Sequence, residues 1–389
     1  MTIKQKDKQY VANTYARFDI EIVRGKGSLV YDSNGKEYID LGTGIAVNTF
    51  GICDEEWNTA VSEQLSKFQH TSNLYYSSPA VLLAEELCKR TSAARVFFGN
   101  SGAEANECAI KTARKWAKDT KGDGDYSIVT LKNSFHGRTI TTLMATGQDV
   151  FHKDFGPFPD GFLYADANNI DSVRSLVESA PCCAVMMELV QGEGGVLALE
   201  PDFVKAVESL CAEKNILLIV DEVQTGNGRC GELYAYMAYK ISPDIVSTAK
   251  GLGGGLPIGA TLLFNKVAHT LGAGSHGSTF GGNPITCSGA LNIISRINDN
   301  VLNGVKARSE YIFSELNGAP GIKSVSGMGL MIGIETEADV NLVLAECLRR
   351  GVMPIKAKTK LRLLPALNIP MPLLQKAIRA IKRIAEELI

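Results

Sequence analysis

From about residue 95 onward, short apolar runs alternate with stretches whose apolar residues recur at helical spacing, the pattern of strand and helix units that carry a largely parallel sheet. The runs predict strands at Arg95 to Phe98, Ser127 to Leu131, Phe162 to Tyr164, Ala184 to Glu188, Ile216 to Val220, Ile245 to Thr248 and Gly259 to Phe264. Ala103 to Trp116 and Asp202 to Lys214 read as helices between them, so the middle of the chain is α/β. Beyond the turn at Gly281 to Pro284, a long helical pattern leads into strand-like pieces at Gly321 to Glu335 and Lys360 to Leu364. Helical segments follow near Val340 to Arg350 and Pro372 to Ile389. Strands around Leu29 to Tyr31 and Glu37 to Asp40, split by the turn Asp32-Ser33-Asn34-Gly35, are expected to pack with this later part. The expected division is an N-terminal segment 1–50, a large domain 51–283 and a small α+β domain 284–389.

Composition narrows the function classes. With 389 residues, 45% of them hydrophobic and 21% charged, the chain can bury a sizeable core without staples. A net charge of -2 gives no electrostatic case for nucleic acid. Nine cysteines with no C-x-x-C suggest neither a disulfide framework nor a zinc ribbon, and a reducing cytoplasm is expected. No apolar stretch approaches the length that spans a bilayer, so no membrane partner is expected. The five histidines show no H-E-x-x-H, and no metal site is expected.

Chemistry concentrates at strand ends. The run ILLIV ends abruptly in Asp221-Glu222, and in a parallel sheet ligands bind beyond the carboxyl ends of strands. Asp221 could equally cap a following helix. Ile245 to Thr248 ends in Ala249-Lys250 and a glycine-rich turn; a buried lysine there suits a Schiff-base nucleophile, whereas an exposed one is merely solvated. Pyridoxal phosphate gives a reason for both groups, since it needs an amine partner for its aldehyde and a carboxylate to keep its ring nitrogen protonated. Phe98-Gly99-Asn100-Ser101-Gly102-Ala103-Glu104 leaves a strand and enters a helix, a cradle for a phosphate, although Ser101 also reads as an ordinary helix cap. Phe135-His136-Gly137-Arg138 offers a ring to stack and an arginine to grip a carboxylate. A dinucleotide-binding reading of GNGRCG at Gly226 to Gly231 fails on context: five residues separate it from the preceding strand, and Asp244 precedes its own strand. A second G-x-G-x-x-G, at Gly272 to Gly277, follows no convincing strand. A protein that binds pyridoxal phosphate without catalysing transfer is the remaining non-enzyme alternative.

The order SGAEANE, FHGRT, QGEGGV, DEVQTGNGR, TAKGLGGGLPIG and STFGGNP resembles the class III (ω-amine) aminotransferases over about Tyr15 to Arg362. VRGKGSLVYDSNGKEYIDLGTGIAVN and SNLYY look most like the acetylornithine branch. The resemblance implies the pyridoxal-phosphate-dependent fold type I, a mostly parallel seven-stranded sheet plus a smaller α+β domain, working as a homodimer on small amino and oxo acids. It implies Lys250 as the Schiff-base lysine, Asp221 at the pyridine nitrogen, Gln224 at the ring hydroxyl and Phe135 on the ring face. Ser101, Gly102, Ala103, Glu222 and Val223 would complete the cofactor site, with Thr279 reaching the phosphate from the partner chain. Arg138, Ser278 and Tyr15 would meet substrate. Arg362 would hold the α-carboxylate of glutamate, and Glu193 would gate it by pairing with it when the ω-amine donor binds. Acetylornithine is the expected donor and 2-oxoglutarate the acceptor. Succinylornithine, N-succinyl-diaminopimelate, ornithine, 4-aminobutyrate and a glutamate-semialdehyde aminomutase remain alternatives. Three positions depart from the family pattern: Gly51-Ile52-Cys53-Asp54, Leu189 and Cys230.

Overall fold

A computed structural model describes all 389 residues. Its central sheet has seven strands in the order Arg95–Gly99, Gly259–Leu263, Ile245–Thr248, Leu217–Asp221, Cys182–Met187, Ser127–Leu131 and Phe162–Ala165. Gly259–Leu263 runs antiparallel to both neighbours, and the other pairings are parallel. Every residue of the four strands between Ser127 and Thr248 other than Phe162–Ala165 is buried, which is why these stretches read as unbroken apolar runs rather than alternating ones. Each predicted strand of this sheet forms, with ends that move by two residues at most.

The helix Gly102–Lys121 shows how local sequence sets an element. Ala105, Cys108, Ala109, Thr112, Ala113 and Trp116 fall on one buried face at helical spacing, and Ser101 caps the start by accepting the Glu104 N–H at 3.2 Å. The N-terminal strands Ile22–Lys26, Leu29–Asp32 and Glu37–Asp40 take Val352–Met353 as their fourth strand, so the expected packing of the two chain ends is met by shared hydrogen bonds. Ile39 and Leu41 join the core of the C-terminal part. That part holds an antiparallel sheet of Ile322–Met328, Met331–Thr336, Lys360–Leu363 and Ile355–Ala357, flanked by Asp299–Leu316, Val340–Arg349 and Met371–Glu387.

Two expectations change. The long helical pattern after Pro284 is two helices, Pro284–Arg296 and Asp299–Leu316, broken where Asn298 caps the second. The first of them packs on the side of the large sheet. Its Cys287, Ala290, Ile293 and Ile294 lie in the core beneath the large sheet, and it packs on Glu55–Lys67 and Ser78–Thr91. Asp54, from the departing Gly51 to Asp54 turn, caps the Glu55–Lys67 helix and pairs with Arg296. No helix is long and apolar enough to cross a membrane.

Ile219, fully buried, pairs in register with Met186 and Ile245 on either side. Ile219→Ala should lower stability by about 2–5 kcal/mol through lost burial and a residual cavity, read as a fall in the denaturant midpoint of the large-domain transition.

Candidate active site

Register brings the chemistry together. Asp221 pairs with Ser247, so the strand end that carries Asp221 lies beside the turn that carries Lys250. Gly99 pairs with Gly259 at the same edge, setting the start of the Gly102–Lys121 helix opposite both. Between them lies a cavity of about 480 Å³ lined by Ser101, Gly102, Ala103, Phe135, Arg138, Asp221, Val223, Gln224 and Lys250, all of them expected at a cofactor or substrate site.

Asp221 is 3% exposed and has no lysine or arginine partner. Its Oδ2 accepts a hydrogen bond from Asn106 Nδ2 at 2.8 Å and lies 2.8 Å from His136 Nδ1, while Oδ1 accepts the Val223 N–H at 3.0 Å. A buried carboxylate is tolerable because donors satisfy it, and its remaining capacity faces the cavity. In the sequence, nothing marks Asn106 and His136 as partners of Asp221 beyond their place inside SGAEANE and FHGR.

Lys250 stands in a left-handed backbone conformation (φ 46°), sparsely populated for a residue with a side chain, and such strain collects at functional sites. Burial lowers its ammonium pKa, opposed by the nearby charges of Glu193 and Asp221, so the neutral, nucleophilic amine is made more accessible. Gly102 and Ala103 begin the long helix, where backbone N–H groups have no intrahelical acceptor. A Cβ on Gly102 would sit 2.7 Å from Val223 Cγ1, so the glycine keeps the cradle open. Arg138 is exposed and lies over the rings of Phe151 and Phe135, at 4.2 and 5.2 Å. These groups fit pyridoxal phosphate: an amine of lowered basicity, a carboxylate without a cation, free N–H groups at a helix start and a ring beside them.

The remaining expected residues sit elsewhere. Arg362 donates to Glu193 at 2.7 Å and to Gln224 Oε1 at 3.2 Å, so the expected ion pair is present and touches the cavity through Gln224. Ser278 reaches the cavity rim through Asn100, whose Nδ2 donates to its Oγ at 2.9 Å. Thr279 is exposed, and Tyr15 is 70% exposed with Arg17 over its ring, so neither meets the cavity within one chain. Glu222 is a correction: successive side chains of a strand end point to opposite sides, and its carboxylate turns inward to the Tyr236 N–H at 2.7 Å and the Thr225 hydroxyl. Glu188, which sequence reasoning treated only as a strand end, lines the cavity. The GNGRCG segment is packed rather than open, since a Cβ on Gly226 would meet Tyr234 and the Glu222 carbonyl. Cys230 within it is buried, and burial pushes its thiol well above the usual range, which makes it inert.

Burial pushes the Glu222 carboxyl from its ordinary 4.5 up to about 7. The folded-state value is the higher one, so protonation favours the fold: the contribution is full below about 4.5 and is lost as pH rises through about 7. Glu222→Gln, which is neutral and can still accept from Tyr236, should therefore flatten the decline of the melting temperature between pH 5 and 8, measured by thermal denaturation across that range.

Comparison with known proteins converges on one family. The model of the class III aminotransferases matches residues 10–385. The chain is 47% identical to the acetylornithine aminotransferase of Haemophilus ducreyi over 388 residues, 99% of each chain. It superposes on the N-acetylornithine aminotransferase of Stenotrophomonas maltophilia with a TM-score of 0.84, at 34% identity, over 98% of this chain and 97% of that one. The ornithine aminotransferase of Toxoplasma gondii, solved with partial occupancy of pyridoxal phosphate at its active site, gives a TM-score of 0.94 at 31% identity over 99% and 94%. With the family model matching nearly the whole chain, this protein belongs to the class III aminotransferases.

Proposed function

We propose that this chain transfers the distal amino group of N2-acetyl-L-ornithine to 2-oxoglutarate, yielding N-acetyl-L-glutamate 5-semialdehyde and L-glutamate, a step of arginine biosynthesis, with pyridoxal phosphate held on Lys250. The observation that carries the reading is the meeting, in one cavity, of Lys250, the cation-free carboxylate of Asp221 and the open helix start at Gly102. The near-full-length identity to the Haemophilus ducreyi enzyme supports the choice of donor. Bound there, the coenzyme supplies an aldehyde carbon that takes up an amine and a protonated ring that withdraws electrons from the substrate carbon as it loses its proton.

The chain's own residues do the rest. Asp221, fixed by Asn106 and His136, holds the proton on the ring nitrogen. Gly102 and Ala103 offer backbone N–H groups, and Ser101 a hydroxyl, to the phosphate. Phe135 would cover the ring face, Val223 packs opposite Gly102, and Gln224 would bond the ring hydroxyl. Lys250 would hold the coenzyme through its Nζ, and its amine when free would move the proton from the substrate carbon to the carbon that was the coenzyme's aldehyde. Arg138 and Ser278 meet the donor, with Tyr15 at its far end.

Arg362 binds the α-carboxylate of glutamate. Its Nε is buried without a hydrogen-bond partner, which leaves a second donor for a bidentate carboxylate once Glu193 withdraws. The Glu193 side chain is 31% exposed, so it can swing toward solvent without its turn moving. Exposed Leu74, Tyr75, Tyr76 and Phe280, with Thr279 outside the cavity, support a homodimer in which Thr279 reaches the phosphate of the partner's site. The proposed division is a segment 1–50, a large domain from 51 and a small domain whose seam falls after the Pro284–Arg296 helix. A cytoplasmic setting accords with nine unpaired cysteines. Free ornithine is the second reading, favoured by the 0.94 TM-score to the Toxoplasma enzyme.

Purified protein supplied with each donor, with and without 2-oxoglutarate, separates these readings. Turnover of acetylornithine that requires the oxoacid supports the proposal; turnover only without it would point to an aminomutase. Lys250→Ala should abolish the absorbance band of lysine-bound coenzyme and lower kcat by more than about 10⁴-fold. Survival of that band would refute the assignment of Lys250. Glu193→Ala should leave Arg362 permanently open and raise the preference for glutamate over acetylornithine by roughly 10-fold, the worth of one charge-assisted hydrogen bond; an unchanged preference would remove the gate.

A further inference from the structure

Glu188 is a buried carboxylate without an assigned task. It follows the Cys182–Met187 strand, is 5% exposed, lines the cavity and has no lysine or arginine in ion-pair contact. Each of its oxygens takes a backbone N–H from a different segment. Oε1 accepts from Phe135 at 2.8 Å and Oε2 from Gly192 at 3.4 Å. Phe135 carries the ring that lies in the cavity, and Gly192 precedes Glu193, whose carboxylate holds Arg362.

The turn after Gly192 is crowded on its other sides. A Cβ at Gly192 would lie 2.5 Å from Gln224 Nε2, and one at Gly194 would lie 2.6 Å from the Asn133 carbonyl oxygen. The turn therefore has little room to drift sideways, and Glu188 is the side chain that tethers its first N–H. We propose that Glu188 is a positioning residue that ties the Phe135 segment to the Glu193 turn, so that the closed state of the Glu193–Arg362 pair, and with it the choice between donors, depends on the Glu188 carboxylate. This rests on the reading of Glu193 as a gate.

Three charged or titratable groups face Glu188: His136 from the Phe135 segment, Asp221 from the neighbouring strand end and Lys250 from the turn beyond. Burial, reinforced by Asp221 and opposed by His136, pushes the carboxyl up to about 7. Ionisation as pH rises through that value strengthens the acceptor, and the longer bond to Gly192 has the more to gain. The Glu193 turn is thus held more firmly above about pH 7 than below it.

The test is amide hydrogen exchange of the coenzyme-loaded protein at pH 6 and 8, comparing wild type with Glu188→Gln, whose amide nitrogen cannot accept. After correction for intrinsic rates, segment 190–196 should exchange several-fold faster in the variant and lose the extra protection that wild type gains at pH 8, while 133–137, whose Phe135 N–H the amide oxygen can still accept, should change little. The ratio of kcat/KM for acetylornithine to that for glutamate should lose its pH dependence through 7 in the variant. Unchanged protection of 190–196 would overturn the proposal. If Glu188→Gln does not fold, the pH dependence of wild-type protection at 190–196, compared with a surface helix such as Val340–Arg349, decides the matter alone. A failed gate would appear separately, as an unchanged donor preference in Glu193→Ala with the Glu188 tether still seen in exchange.

Discussion

A single buried carboxylate organises the site. Taking Asp221 out of water costs several kcal/mol unless donors replace the lost hydration, and the protein provides them from three directions: Asn106 on the long helix, His136 on the loop after Ser127–Leu131, and the backbone N–H of Val223. Each of those donors fixes an element that has its own work. The Asn106 bond, together with its second one to the His136 carbonyl at 2.7 Å, sets the depth of the Gly102 helix start, and His136 sets where Phe135 and Arg138 stand. Asp221 pairs with no lysine or arginine, and it lines the cavity where an entering group can meet it.

Around that anion the other charges are poised. Lys250 is held between burial, which disfavours its charged form, and the carboxylates of Glu193 and Asp221, which favour it. Arg362, 2% exposed, takes its compensation from Glu193 and Gln224 alone, so moving Glu193 leaves a buried cation that a substrate carboxylate can satisfy.

The N-terminal segment is fastened to this centre by strained backbone. Thr43, Gly44, Ile45 and Ala46 all have positive φ, a left-handed turn unusual for β-branched residues. Asp40 steadies it by accepting the N–H groups of Gly42 and Thr43. The Thr43 hydroxyl donates to the Leu364 carbonyl, two residues from Arg362, and the Thr49 hydroxyl to the Gly251 carbonyl, next to Lys250. Hydrogen bonds from this segment therefore reach the backbone beside both Lys250 and Arg362, and Val47 meets the cavity at its edge.

By itself the sequence determined the large sheet, because its strands are buried on both faces and so stand out as continuous apolar runs, and it determined the residues at their ends, because strand termini in such a sheet adjoin a common edge. The placement of Lys250, Asp221 and the Ser101 to Ala103 segment at one edge was legible on those grounds, and the family resemblance supplied the expected pairing of Glu193 with Arg362, which the structure holds at 2.7 Å. Which of two neighbouring acids faces the cavity was not legible: Asp221 and Glu222 are alike in type, and only the pleat and the packing of Tyr236 send the second inward. Nor was the long helical pattern after Pro284 legible as two helices serving different cores, since both carry apolar faces of the same period. Glu188 and His136 acquire meaning only from neighbours tens of residues away, Phe135 at one end of a 53-residue separation and Asp221 at the end of an 85-residue one. Such contacts are made by the register of strands and the closing of loops, which the tertiary structure alone decides.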